Sequence, residues 1–164
     1  MRKLLNYIII ICLSFTLLGC KKTLKGTDAL IDKAREESSI VDNIEITYGG
    51  LVAIEDTALI WFVSGNDNQE HTYLPMECNI VGKNEYTYVR TYKPMIRGND
   101  IAISEWQNGY SFIINNLNCK KIRIIDNSDI IDISIDKDVY PFVYHHELIP
   151  TEYEFLDENG NVIY

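Results

Sequence analysis

Basic side chains, histidine and long apolar runs are all scarce in this chain of 164 residues. Lysine and arginine number 15 against 24 aspartates and glutamates, for a net charge of −9. Such a surface repels a phosphate backbone, so nucleic acid is not an expected partner. The longest greasy stretch, residues 4–18, has fifteen residues and is diluted by Asn6. A bilayer-spanning helix needs about 20 apolar residues, so a permanent span is not expected. Histidine occurs three times, at His71, His145 and His146. There is no Gly-x-Ser-x-Gly elbow, no P-loop, no dinucleotide glycine fingerprint and no His-Glu-x-x-His. The expectation is a protein that is not an enzyme and needs no cofactor or metal.

At the N-terminus, Arg2 and Lys3 precede the apolar run and Gly19 closes it. A charged start, a short greasy core and a small residue before a cut are the parts of a secretory signal. Leu17-Leu18-Gly19-Cys20 resembles the lipobox of bacterial lipoproteins. The resemblance implies that residues 1–19 are a cleaved signal peptide and that the Cys20 thiol carries diacylglycerol. It also implies a lipid-anchored, extracytoplasmic place on the bacterial cell membrane. Two or more acyl chains hold a protein stably, where one does not. Lys21, Lys22 and Lys25 follow, and each adds about 1 kcal/mol near an anionic lipid surface.

Residues 1–19 hold two basic side chains and no acid, so the remaining body carries −11. That body is the size of one ordinary domain. The charge is uneven, with ten acids and one lysine, Lys137, in residues 125–164. This half suits a cationic partner, or it is a solvated acidic face.

Along the chain, residues 20–26 read as a lipidated tether. Leu30, Ile31 and Ala34 share one face of a helix over 27–38, with Thr27 as its N-cap. Beyond it the period changes to two. TALIWFVS, residues 57–64, is apolar throughout and reads as a buried central strand. Pro75 suggests that residues 72–80 form an edge strand or a bulge. Arg97-Gly98-Asn99-Asp100 marks an internal boundary. Asn108-Gly109 between two strand-like runs signals a hairpin. Ile131, Ile133 and Ile135 alternate with Asp132, Ser134 and Asp136, the pattern of a half-exposed strand. The predicted class is mainly β, an antiparallel sandwich or curled sheet, with one short N-terminal helix after the cleaved signal. Residues 27–98 supply the helix and antiparallel strands, and 99–164 a second antiparallel half of the same compact domain. YSFIINN, YPFVY and EYEFLDENGNVIY resemble the C-terminal region of small uncharacterised lipoproteins of low-GC bacteria. That resemblance implies a sandwich and no particular activity.

Few residues carry candidate chemistry. Cys78 and Cys119 are an even pair in an exported chain, which permits a disulfide, or two buried thiols. Tyr86, Tyr88, Arg90 and Tyr92 fall on one face of a regular strand. Outward they would form an amphipathic binding face for sugar or protein, and inward they would be core. His145 and Glu147 would share a strand face, but a zinc site needs further ligands, and His71 is the other histidine. Asp157-Glu158-Asn159-Gly160-Asn161 lacks the glycine and glutamate positions of a calcium loop and reads as a turn. The leading functional expectation is a membrane-anchored, non-enzymatic domain that binds an envelope or cationic protein. An envelope-glycan or small-ligand module is the alternative, and a small metal-dependent hydrolase the third reading.

Overall fold

The computed structural model describes residues 22–38, 45–65, 70–127 and 129–163, so residues 1–19 and Cys20 lie outside the described residues. A first sheet contains β1 (Thr23–Lys25), β2 (Ile46–Ile54), β3 (Thr57–Ser64), β4 (His71–Gly82), β5 (Glu85–Thr91) and β6 (Met95–Arg97). The helix α1 (Gly26–Glu37) lies between β1 and β2 in the chain. The antiparallel order is β1-β5-β4-β3-β2, and β6 pairs with the start of β4. A second sheet begins with the hairpin β7 (Ile101–Trp106) and β8 (Gly109–Ile114). A third begins with β9 (Lys121–Asp126) and β10 (Asp129–Ser134). The chain then returns, with β11 (Phe142–His146) beside β8 and β12 (Glu152–Leu156) beside β9.

The layering follows from β3. It is buried at every position after Thr57, so both faces of its sheet must be covered. On one face Ala58, Ile60 and Phe62 pack with Leu30 and Ala34 of α1. A helix of twelve residues is marginal alone, and this burial holds it. On the other face Leu59, Trp61 and Val63 meet Ala102, Trp106 and Ile113 of the second sheet. The far side of that sheet, Ile101, Phe112 and Ile114, packs on Ile122, Ile124 and Phe155 of the third. The chain is thus mainly antiparallel β with one short helix, stacked as a helix over three sheets.

Two features set how close the first two sheets come. Trp61 Nε1 donates to Ser111 Oγ at 2.8 Å inside their interface, where both residues are buried. Gly49 and Gly50 lie at a break in the β2–β3 register. A Cβ at Gly49 would stand 2.7 Å from Ile113 Cδ1, and one at Gly50 2.7 Å from Val143 Cγ2. Glycine at both positions lets β8 and β11 rest on β2.

Several local expectations are corrected. Residues 23–25, read as part of a tether, pair with β5 because Leu24 is buried against the helix-side core. The helix starts at Gly26, with Lys25 rather than Thr27 at the N-cap and no side-chain cap. Pro75 sits in a central strand, not at an edge. Its carbonyl accepts from Tyr92 N–H at 2.9 Å, and the return bond that proline cannot donate falls in the gap where β4 changes partner from β5 to β6. The hairpin turns on Gln107 and Asn108, both with positive φ, and pairs Trp106 with Gly109. Gly109 is instead required by packing, since a Cβ there would collide with the His146 carbonyl.

Replacing Ser111 by alanine strands the buried Trp61 N–H, so Ser111→Ala is expected to lower the unfolding free energy by about 1–3 kcal/mol. The double variant Trp61→Phe/Ser111→Ala should lose less than the sum of the single losses. Urea unfolding followed by circular dichroism measures both, and strict additivity would show that the hydrogen bond contributes nothing.

Candidate functional site

The tyrosine stripe is divided by the backbone. Glu77 pairs with Arg90 and Cys78 with Tyr88, which leaves Val89 as the extra residue of a β-bulge. The alternation changes phase there. Tyr86 and Tyr88 face the helix side, where Tyr86 is 9% exposed and Tyr88 donates to Glu37 at 3.0 Å. Arg90 and Tyr92 face the opposite side and converge on the buried Glu77, at 2.9 and 2.6 Å. Burial, followed by Glu77, raises the Tyr92 hydroxyl to about 12. The four residues therefore do not form one binding face.

The three histidines are likewise separated. His71 Nδ1 lies 2.7 Å from Asp100 Oδ1, which also accepts from Tyr73 OH at 2.9 Å. This trio ties β4 to the segment that leads into the second sheet. His145 and His146 are on β11 and point to opposite sides. His145 meets the Trp106 ring edge-on at 5.1 Å between the first and second sheets. His146 stacks on Tyr144 at 6.5 Å on the other side. Both ring nitrogens of His145 are buried, and among the described residues neither makes a hydrogen bond of ordinary distance and angle. Burial lowers its pKa, and the nearby Glu147 charge acts in the opposite direction. No group of three or more His, Cys, Asp or Glu among the described residues is placed to hold a metal ion.

Cys78 and Cys119 are free, buried thiols in different cores, one under α1 and the other between the second and third sheets. Strands of the intervening layers separate them, so the disulfide is not formed. Burial raises Cys78 to about 12 and Cys119 above its ordinary value. A thiol in this state is a poor nucleophile.

The acidic half is partly neutralised from within. Asp132 accepts from Arg123 Nε at 2.8 Å and from Lys121 Nζ at 2.9 Å, and these two cations hold it down to about 2. Asp157 accepts from the Asn161 and Asn159 backbone N–H groups at 2.8 Å each, so this segment is an Asx-type turn. Ser134-Ile135-Asp136-Lys137 has the spacing of a Ser-x-x-Lys motif, but it falls where β10 ends, with Ile135 buried between two exposed residues, so no helical turn brings Ser134 and Lys137 together.

The concave surfaces are elsewhere. Tyr110, Phe112 and Tyr144 of the second sheet face Tyr153 and Phe155 of the third, with Phe112 and Tyr153 centroids 5.6 Å apart. This aromatic layer is open along both flanks. One flank is a groove of about 240 Å³ lined by Ile103, Glu105, Tyr110 and Tyr153. The other, of about 330 Å³, is lined by Ile131, Tyr144, His145, His146, Glu147 and Leu148. A cleft of about 480 Å³ lies between β1, α1 and β5, lined by Lys22, Leu24, Asp32, Lys33 and Tyr88. At the second flank, Ile131 turns inward as its alternation predicts, yet it is 45% exposed because β11 does not cover it. Leu148 and Ile149, at 59% and 50%, extend the apolar rim. Sequence reasoning missed this rim, although two consecutive apolar residues following His-His-Glu were its visible signal.

No protein-family model, no curated protein and no solved structure matches the chain.

A depressed histidine pKa means that the unfolded chain takes up the proton first. Stability is therefore expected to fall as pH drops through about 6.5. The urea midpoint should be lower at pH 5.5 than at 7.5, and His145→Phe should show a smaller drop. An equal drop in both proteins removes His145 as the cause. Alkylation mapped by mass spectrometry should leave Cys78 and Cys119 unmodified in the native protein and modify both in urea. Native-state labelling of either thiol contradicts its burial.

Proposed function

We propose that this chain is an extracytoplasmic lipoprotein, held on a bacterial membrane through Cys20, whose β body is a non-enzymatic docking domain for another envelope protein. The observation that carries the docking role is the exposed apolar rim of the second flank, Ile131, Leu148 and Ile149 beside a groove. Soluble domains rarely leave such contiguous apolar surface uncovered without a binding use. Three polar clusters are occupied in holding the fold: His71 and Tyr73 on Asp100, Arg90 and Tyr92 on Glu77, and Arg123 and Lys121 on Asp132. The anchor is supported by the N-terminal sequence, and Lys21 and Lys22 directly after Cys20 suit an anionic lipid surface.

Growth of producing cells with an alkyne-tagged fatty acid is expected to label the wild-type chain, and Cys20→Ala should lose the label and leave the membrane fraction. Cys20→Ala retained in washed membranes would overturn the anchor. Photocrosslinking from position 148 of the full-length chain in cells is expected to trap one protein, with yield reduced at least tenfold in Ile131→Lys. Trapping that is indifferent to Ile131→Lys would remove this flank as the contact.

A further inference from the structure

We infer that the free edge of β10 takes up an extended, basic segment of a partner protein as an added β-strand, with one apolar side chain seated in the groove between Ile131 and Leu148. This deepens the docking role proposed above and rests on it.

Edge strands expose a row of unpaired N–H and C=O groups, and proteins usually blunt them by shortness, proline, a bulge or an inward charge. The edges of the first sheet show such devices: β1 has three residues, and β2 carries the register break at Tyr48/Gly50. β10 shows none of them. It is six residues long, pairs with β9 without a register shift and has no proline. Among the described residues its only strand partner is β9. Ile130 and Ile131 are 64% and 45% exposed. The one charge that could guard its middle, Asp132, is drawn onto the outer face by Arg123 and Lys121.

The groove beside this edge adds a specific element. In strand addition the backbone ladder supplies affinity, and pockets for alternate side chains supply specificity. Ile131 faces the groove of about 330 Å³ from β10, and Leu148 bounds it from the segment after β11. An added strand would place every second side chain on the groove side.

Charge selects the occupant. A second copy would bring one acidic edge against another, with the exposed Asp129 and Glu147 on both sides. Asp129 and Glu147 are exposed and carry no ion pair among the described residues. With a net charge of −11 on the body, they favour a segment that carries lysine or arginine beside its apolar residues.

The test uses the full-length chain in detergent and a displayed library of random peptides of about twelve residues, long enough to span a strand. Selection against the wild type and against Ile131→Lys is run in parallel. The expected result is enrichment, on the wild type only, of peptides that alternate apolar residues with flanking lysine or arginine. The best peptide, synthesised, should slow amide exchange in residues 129–134 at least tenfold and bind Ile131→Lys at least tenfold more weakly. Equal enrichment on both proteins, peptides without alternation, or exchange protection outside 129–134 would overturn the inference. So would self-association of the chain through residues 129–134 without peptide. If Ile131→Lys does not fold, the exchange measurement on the wild type decides alone. Failure here leaves the Cys20 label and the crosslink from position 148 standing, so it is distinguishable from failure of the docking role.

Discussion

β3 has no polar face, and the order of layers depends on that constraint. A strand that is apolar on both sides can be stable only between two coverings. One side is met by a helix whose own apolar stripe is narrow, centred on Leu30 and Ala34. The other side is met by a sheet, and this sheet in turn has a second apolar face, with Phe112 and Ile114, that must be covered. The third sheet ends the series because its outer face is polar, with Arg123 bridging Asp132 and Glu154. Burial of one large apolar side chain contributes about 1.5–3 kcal/mol, so each added layer strengthens the one beneath it.

Within this stack the polar groups act as local fasteners. Trp61 and Ser111 join two layers, Asp100 binds His71 and Tyr73 where the chain leaves the first sheet, and Glu77 gathers Arg90 and Tyr92. Each satisfies a side chain that burial would otherwise penalise. What these fasteners leave open is a flank where two sheets face each other without closing.

The class of fold was legible because its strongest signals are local. Residues 57–64 are uniformly apolar, and Ile133 and Ile135 turn inward as their alternation requires. What could not be read was wherever a neighbour decides. β2 contains Gly49-Gly50, poor strand formers that make sense only against Ile113 and Val143. Pro75 contradicts a central strand until its facing strand is seen to be interrupted. The Tyr86–Tyr92 stripe presumed an unbroken period, and one residue, Val89, reverses it. The candidate groove was hidden for the same reason: Ile131 is on the predicted inner face, and its exposure depends on where β11 stops.

The interleaving of the second and third sheets bears on how the chain is completed as it is made. The first sheet closes from neighbouring segments, since β2 to β5 are successive hairpin partners within residues 46–91. The other two sheets are woven together: β11 returns to β8 only after β9 and β10 have been laid down, and β12 then returns to β9. The second sheet lacks its third strand until residue 146 is present, and the third sheet until residue 156. Pairings that span many residues must bear the loop-closure entropy before they gain contacts, so they form late. A chain emerging N-terminus first would therefore pair the strands of its first sheet while the sheets that cover its second face are still incomplete.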